Sequence, residues 1–522
     1  MSEPLKLPRA VAFVDIGTNS IRLLVVRINK NGSYTILSQE KETARLGESE
    51  FKDYMVQPSA IDRAVLVCRK FVELSKYYGA DEIIAVATSA AREAKNQAEL
   101  LDRILKEAHL EISVVSGKEE ARLIYLGVSS GVNIGRKKAL FIDIGGGSCE
   151  IMIGDQFGYS YLDSLSLGAI RMTSLFVAEN NKGPVSGAVY AKMKKHAKAA
   201  TIRTRIRVED ERIDVTIASS GTAMNLAQIA AKMFDIPSGR QLTLKRAHLK
   251  KVASMLCSLP LDKRRSVPGI NPERADIIIG GAAVLETLME ELSIDEVVIS
   301  ERGLRDGLLV EYLGDHGLLS GGEEVDVRLR SVLQLSRSYG VDEDHAERVK
   351  SLALRLFDSG AKRKLHAFRD DERDLLAHAA YMHDIGDFIS FNNHHLHSHY
   401  IISNADLLGF DQREIAIMAN IAKFHRKKVP GRKDPEMAGL DDRSQRVVIA
   451  LSALLRVAES LDRSHTGIIS EADFVKVDKQ KAVLRAISSD ECQLECWGVE
   501  SDGRAFEKAF GRKLSMEVVR KD

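Results

Sequence analysis

The amino-acid sequence predicts an α/β protein with two related lobes, an all-helical domain behind them, and a small α+β segment at the C-terminal end. Short apolar runs alternate with helical patterns from residue 11 to about residue 313. From about 325 to 461 the pattern is helical without a convincing strand, and strand-like alternation then returns. With 522 residues, the chain is also too long for a single hydrophobic core.

The predicted domain boundaries follow these changes of pattern. The first lobe takes residues 1–136 and the second takes residues 137–314. A glycine-rich break, LGDHGLLSGGEEVD, leads into the helical domain at 325–465, and the α+β domain takes 466–522. Each lobe contains a strand that ends in Asp-Ile-Gly and is followed by another strand. This shared pattern indicates that the two lobes are equivalent.

The composition excludes several classes of protein. With 75 basic and 74 acidic residues the net charge is +1, so no overall field favours nucleic acid. The N-terminal segment lacks an apolar signal core, and no run of about 18 apolar residues occurs. The five cysteines are too scattered for a disulfide framework. We therefore expect a reduced, cytoplasmic protein that has no integral membrane segment and does not bind nucleic acid.

Two glycine turns carry the most specific chemical signal. The segments DIGTNS, from Asp15, and DIGGGS, from Asp143, each place an acid at a strand end and a glycine directly after it. Backbone N–H groups of such turns can approach phosphate oxygens closely, and neighbouring hydroxyl or amide groups add donors. An acid beside phosphate requires a cation, so Asp15 and Asp143 imply Mg²⁺. The alternative is a pair of tight hairpins with solvated polar residues.

Four motifs, DIGTNSIRLLV, SGKEEARLIYLGV, DIGGGSCEI and SSGTAMNL, occur in that order. Together they resemble the exopolyphosphatase/guanosine pentaphosphate phosphohydrolase family, over residues 10–313 and more loosely over the helical remainder. The segments ATSAAREAKN, LGAIRMT and ERGLRDGLL are also similar to family segments. The resemblance implies two actin-like (ribonuclease-H-like) lobes with a cleft between them.

The resemblance also implies roles for particular residues. Glu120 matches the general base, with Glu119 as the neighbouring alternative; both could instead be exposed carboxylates in a first helical turn. Asp143 and Glu150 match acids that position metal and water, so the implied Mg²⁺ (or Mn²⁺) ligands are Asp15, Asp143 and Glu150. Arg171 and Arg305 match further basic residues. The implied phosphate-binding residues are Gly17, Thr18, Asn19, Ser20, Arg22, Arg92, Gly145, Gly146, Gly147, Ser148, Gly221 and Thr222.

The helical domain contains His345, the pair His383–Asp384, and Asp462 in that order. This order resembles the HD-domain metal-dependent phosphohydrolases and implies a second metal site. Five more histidines thicken the cluster: His394, His395, His397, His399 and His425. The alternative is a non-catalytic domain whose histidines bond to their neighbours. In longer family members such a domain is fused behind the catalytic lobes, which implies a homodimer.

The function expected from this resemblance is processive, Mg²⁺-dependent release of orthophosphate from inorganic polyphosphate. The basic segments KMKKHAKAATIRTRIR, AKRKLHAFR and KFHRKKVPGRK could hold the polymer, or could be solvated helix faces. Guanosine pentaphosphate 5′-phosphohydrolase is the nearest alternative. Phosphoryl transfer to a nucleoside diphosphate, a sugar-kinase activity, and binding without cleavage are the others.

Overall fold

The computed structural model describes residues 6–48, 50–178, 181–236, 242–319 and 326–520. The chain forms two compact units, Met1–Val327 and Arg328–Asp522. Residues 320–325 of the glycine-rich break, and with them the predicted start of the helical domain, lie outside the described residues. The finer division into four domains stays a prediction.

The first unit contains two mixed sheets, each with helices around it. The first sheet has the strand order β3-β2-β1-β4-β5. Its strands are β1 (Arg9–Ile16), β2 (Ser20–Ile28), β3 (Tyr34–Thr43), β4 (Ala80–Ala87) and β5 (Ser113–Val114). The helices of this part are α1 (Glu50–Asp53), α2 (Pro58–Tyr77), α3 (Ser89–Glu93), α4 (Gln97–Ala108) and α5 (Gly117–Ser129).

The second sheet has the order β10-β11-β9-β6-β7-β8. Its strands are β6 (Ala139–Ile144), β7 (Cys149–Gly154), β8 (Tyr159–Leu165), β9 (Val215–Ser219), β10 (Thr243–Lys245) and β11 (Glu296–Ile299). The accompanying helices are α6 (Ala169–Phe176), α7 (Gly187–Ala200), α8 (Ile202–Glu209), α9 (Ser220–Met233), α10 (Arg246–Ser258), α11 (Leu261–Arg264), α12 (Ile278–Glu291) and α13 (Leu304–Asp315). A 3-10 turn occupies Pro272–Arg274.

The two sheets repeat one arrangement, which confirms the predicted pair of related lobes and the α/β fold class. In each, an antiparallel hairpin (β1–β2 or β6–β7) has a third antiparallel strand on one side and a parallel strand on the other. The hairpin register pairs Asp15 with Arg22 and Asp143 with Glu150. Both glycine turns therefore occupy the same place in their lobes.

One core cluster joins the two lobes. It combines apolar residues of β1, β2 and β4 with residues of α5, β6, β7, β9 and α13. Helix α5 contributes to this core through an apolar face, which includes the buried residues Ala121, Leu123, Ile124 and Val128. The packing holds α5 in the space between the sheets, so residues at its N-terminal end lie where the lobes meet.

The second unit is helical and carries a three-stranded sheet, as the sequence predicts. Its helices are α14 (Val327–Ser338), α15 (Glu343–Lys362), α16 (Asp370–Tyr381), α17 (His394–Asn404), α18 (Gln412–Lys423), α19 (Asp442–Leu461) and α20 (Gln493–Phe510). The sheet has the order β12 (Ile469–Val477), β13 (Lys481–Ser488), β14 (Lys513–Arg520). Helices and sheet share one hydrophobic core. In the described part of the chain, no helix is long and apolar enough to cross a membrane.

Candidate active site

The two glycine turns face each other across a cavity of about 350 Å³ in the first unit. They approach so closely that a Cβ added to Gly146 would lie 2.9 Å from Cβ of Thr18. Most of the residues expected in the site line this cavity: Asp15, Gly17, Thr18, Asn19, Ser20, Arg22, Glu120, Asp143, Gly145, Gly146, Gly147, Ser148 and Gly221. Arg92, Glu150 and Thr222 lie outside that lining.

The backbone of both turns is fixed by hydrogen bonds. In the first turn the N–H of Gly17 donates to the carbonyl of Ser20 at 3.1 Å, and in the second Gly145 donates to Ser148 at 3.0 Å. The carbonyl of Gly146 also accepts from the N–H of Ile170, at the start of α6. Rigid turns of this kind can present their remaining donors to an anion without reorganising.

Four carboxylates of the site share a buried environment: Asp15, Glu120, Asp143 and Glu150. Burial raises the pKa of Asp15 and of Asp143 above the ordinary carboxyl value. Burial also raises the pKa of Glu150 well above its ordinary value, and the charges of Glu120 and Asp143 add to that rise. The hydroxyls of Ser219 and Ser164 donate to Asp143 at 2.5 Å and to Glu150 at 2.8 Å. Such a set of oxygen ligands fits a hard divalent cation.

The structure separates Glu119 from Glu120. Ser116 caps α5 by accepting from the N–H of Glu119 at 3.1 Å. The Glu119 side chain, 39% exposed, turns away to Arg122. The Glu120 side chain is 9% exposed and accepts from Nη1 of Arg92 at 2.8 Å. Burial raises the pKa of Glu120 to about 7; Arg92 opposes the rise, and Asp15 and Asp143 increase it.

The predicted cations occupy different positions. Arg22 lines the cavity, whereas Arg92 binds Glu120 and also donates to the carbonyl of Val115 at 3.0 Å. Arg171 is buried: it donates to the carbonyl of Gly147 at 2.6 Å and to Glu93 at 2.7 Å. Arg305 donates to a carbonyl of β2. Because Arg171 binds the carbonyl of Gly147 and does not line the cavity, it holds the backbone of the second turn in place.

Three cations near the site were not named in the sequence analysis: Arg274 and Arg302, which line the cavity, and Lys41, which lies beside Arg22. Arg274, from the 3-10 turn, lines the cavity, and burial lowers its pKa to about 10, with Arg22 lowering it further. Burial likewise lowers the pKa of Lys41 to about 8, together with the charges of Arg274 and Arg22. Lys41 pairs directly with Arg22 across β2 and β3. Arg22 and Arg274 line the cavity and Lys41 lies beside Arg22, so three segments bring positive charge to this part of the site.

The motif SSGTAMNL forms a third turn at the cavity, and the backbone of this turn is strained. Ser220, between β9 and α9, has φ of +85°, which is unusual for a residue other than glycine. Such conformations cluster at ligand sites, where the surrounding structure maintains them. The guanidinium of Arg274 packs against Gly221, since an added Cβ there would lie 2.3 Å from Nη2. The buried Thr222 donates its N–H to the hydroxyl of Ser220 at 3.2 Å.

Two of the three basic segments considered as a polymer track contain lysines that pair with acids. In the first of them, Lys194 contacts Glu286 and Glu290, and Lys198 contacts Glu291. In KFHRKKVPGRK, Lys423 pairs with Glu436 and Lys428 with Asp434. These pairs favour the interpretation of these lysines as part of solvated surfaces, and AKRKLHAFR stays a candidate for the polymer track.

The histidine cluster of the second unit also forms. His345 contacts Asp462 through Nδ1 at 2.8 Å, and Nε2 of His383 lies 3.3 Å from Asp384. His345, His383 and Asp384 place one possible ligand atom each within 4.8 Å of one another. Asp384, His394 and His425 form a second such group, so two of the five further histidines noted in the sequence join the cluster.

The chain matches two family descriptions over most of its length. Residues 24–316 match the Ppx/GppA phosphatase family, and residues 327–501 match Ppx/GppA phosphatase, domain III. These matches define the class of protein as a phosphatase. The chain belongs to the Ppx/GppA phosphatase family and is a hydrolase of that family, which confirms the resemblance seen in the motifs.

Several solved structures are similar to this chain. An exopolyphosphatase from Cytophaga hutchinsonii is 25% identical, with a TM-score of 0.55 over 59% of this chain and 98% of that chain. An exopolyphosphatase-like protein is 28% identical, with a TM-score of 0.52 over 58% of this chain and 97% of that chain. The PPX-GPPA enzyme of Aquifex aeolicus is 24% identical, with a TM-score of 0.47 over 58% and 99%.

The raised pKa of Glu120 predicts a pH-dependent stability in the absence of divalent cations. The folded protein keeps the proton of the Glu120 carboxyl to a higher pH than the unfolded chain, in which this carboxyl has its ordinary pKa of 4.5. Stability is therefore lost as pH rises from there through about 7. At about pH 8 we expect Glu120→Gln to unfold at a higher urea concentration than the wild type, with a free energy of unfolding larger by on the order of 2 kcal/mol. Near pH 4 the two proteins should have the same free energy of unfolding. The same difference in the free energy of unfolding at pH 4 and at pH 8 would contradict this.

Proposed function

We propose that this chain is an exopolyphosphatase, which releases terminal orthophosphate processively from inorganic polyphosphate by Mg²⁺-dependent hydrolysis. One observation carries the proposal. A single cavity is lined by two phosphate-type turns, by buried carboxylates, and by the guanidinium groups of Arg22 and Arg274. Phosphoryl transfer to water needs these three components, for positioning, for water activation and for charge stabilisation.

In this proposal the two turns hold the terminal phosphate from opposite sides. Thr18, Asn19 and Ser148 donate to its oxygens together with backbone N–H groups. Asp15, Asp143 and Glu150 would hold Mg²⁺, which when bound neutralises phosphate charge. Glu120 accepts the proton of the attacking water, and its elevated pKa suits a base that works near neutral pH. Arg92 orients the Glu120 carboxylate through their 2.8 Å contact.

The cations at the end of the cavity suit the rest of a phosphate chain. Burial and the charge of Arg22 lower the pKa of Arg274, and burial and the charges of Arg274 and Arg22 lower the pKa of Lys41. An anion among these three side chains would relieve the repulsion. A chain with about one charge per phosphate would meet this requirement. A nucleotide with several phosphates would meet it too, so guanosine pentaphosphate is the second candidate substrate.

The test is phosphate release from long-chain polyphosphate and from guanosine pentaphosphate, each with Mg²⁺ and each with and without ADP. Faster release from polyphosphate, with no accumulation of chains of intermediate length, supports the proposal. Release from guanosine pentaphosphate alone would assign the second function. Formation of ATP in place of orthophosphate would assign phosphotransfer. The homodimer and the cytoplasmic location stay predictions.

A further inference from the structure

Two of the five cysteines lie one helical turn apart and face each other in the second unit. Sγ of Cys492 is 3.9 Å from Sγ of Cys496, at the start of α20. The N–H of Cys496 donates to the carbonyl of Cys492 at 3.0 Å, so the turn of the helix sets this spacing. Cys492 is buried, Cys496 is half-buried, and both are free thiols.

The distance between the two sulfur atoms suits a shared metal ion better than a disulfide. Two thiolates held about 2.3 Å from one tetrahedral ion are separated by roughly 3.8 Å. The observed separation of 3.9 Å is close to that value. A disulfide joins its sulfur atoms at about 2.05 Å, so forming one would require the two side chains to approach by almost half of their present separation. An ion is therefore accepted with the helix where it is.

Acidic groups surround the pair. Cys492 and Cys496 line a cleft of about 380 Å³ together with Asp490, Glu491 and Glu500. Glu500 lies one turn beyond Cys496, so Cys492, Cys496 and Glu500 follow one face of α20. Burial, the neighbouring Cys492 and the charge of Glu500 raise the pKa of Cys496 to about 11. A cation in the cleft would oppose these effects, because it favours the thiolate.

Two further features favour a cation with thiolate ligands. Arg520 also lines the cleft, but it lies 3.5 Å from Glu491. Asp490 and Glu500 form no ion pair with the described residues, so their charge is available to the cleft. Cys492 directly precedes α20, and the N-terminal end of a helix favours a negatively charged side chain. The cleft therefore combines negative potential with two soft ligands.

We propose that Cys492 and Cys496 bind one thiophilic metal ion of the zinc class. Each thiol releases its proton to solvent, and the two sulfur atoms become thiolate ligands. Glu500 and water complete the coordination. Thiolates select ions such as Zn²⁺ or Cu⁺, whereas Mg²⁺ prefers oxygen. The site therefore differs in its chemistry from the oxygen-lined cavity of the first unit and from the imidazole cluster of the second.

The experiment is a titration of the reduced full chain with Cd²⁺, in a buffer free of thiols. Cd²⁺ is the probe because a thiolate-to-metal absorption band distinguishes sulfur ligands from imidazole and carboxylate ligands. We expect the band to stop growing at one Cd²⁺ per chain. The chain has a single tryptophan, Trp497, and it lines the same cleft. Its fluorescence should change over the same range of Cd²⁺ concentration.

Substitutions of single thiols locate the ion. Cys492→Ser and Cys496→Ser should each lose the band and the fluorescence change at equimolar Cd²⁺. Cys257→Ser is the matched control, because Cys257 is a free, half-buried thiol of the first unit, and it should keep both signals. Trp497→Phe should keep the band and lose the fluorescence signal. Zn²⁺ should also raise the midpoint of thermal unfolding in the wild type by more than in Cys496→Ser, since an ion that binds the folded state stabilises it.

Other results would overturn the proposal. They are the absence of a thiolate band in the wild type, or a band of undiminished size in Cys496→Ser. Loss of the band in Cys257→Ser would place the ion elsewhere. Formation of a disulfide on treatment with oxidised glutathione, in a chain that shows no band when reduced, would identify the pair as a redox couple. Circular dichroism reports whether each variant folds; if Cys492→Ser does not, Cys496→Ser decides, because that side chain is only half-buried.

Discussion

Glu120→Gln is expected to lower the rate of phosphate release from polyphosphate by about 100-fold or more. The substitution keeps the shape of the side chain and its place at the start of α5, but an amide cannot take a proton from water. Loss of a general base typically costs 10²–10⁴-fold. The measurement is kcat for orthophosphate release with saturating Mg²⁺ and long-chain polyphosphate.

Glu119→Gln is the matched control for this experiment. Glu119 lies next to Glu120 on the same helical turn, but its carboxylate binds Arg122 and is 39% exposed. An exposed ion pair contributes at most about 1 kcal/mol to stability, so this variant should keep nearly full activity. If Glu119→Gln were the inactive protein and Glu120→Gln the active one, the base would be wrongly assigned.

The second large effect is expected at the contact between the two glycine turns. A Cβ on Gly147 would lie 2.4 Å from Oγ of Ser89, 2.9 Å from Oγ1 of Thr18 and 2.9 Å from Cζ of Phe51. Gly147→Ala must therefore displace the side chains of Ser89, Phe51 and Thr18, and Thr18 belongs to the first turn. We expect about 100-fold slower phosphate release, because a displacement of about 1 Å in a positioned site can cost that much. Overpacking should also cost about 1–3 kcal/mol of stability.

Gly158→Ala provides the comparison for Gly147→Ala. Gly158 lies in the turn between β7 and β8 of the same lobe, and a Cβ there meets no atom within 4 Å. Its activity and urea unfolding should match those of the wild type. Equal activity in Gly147→Ala and Gly158→Ala would mean that the two turns do not hold the substrate together.

The sequence predicted the parts of the site that depend on local chain geometry. Asp15 and Asp143 each end a strand directly before a glycine turn, and both hairpins follow from that pattern. The choice between Glu119 and Glu120 was left open by the sequence. The structure makes it, because the carboxylate of Glu119 pairs with Arg122 whereas that of Glu120 is buried against Arg92.

The parts that depend on tertiary packing could not be predicted in this way. Arg274 reaches the cavity because a 3-10 turn of the second lobe packs beside Gly221. Arg171 carries the charge of a phosphate ligand, yet it holds the carbonyl of Gly147. His394 and His425 were visible only as nearby histidines, because helix packing determines which imidazoles share a centre.

The most direct test of the central claim is phosphate release from long-chain polyphosphate in ¹⁸O-labelled water with Mg²⁺, for the wild type and Glu120→Ala. Hydrolysis in the cleft predicts that each orthophosphate released by the wild type carries one labelled oxygen, and that Glu120→Ala releases almost none. Unlabelled phosphate, or labelled phosphate formed by Glu120→Ala at the wild-type rate, would contradict attack by water activated at Glu120.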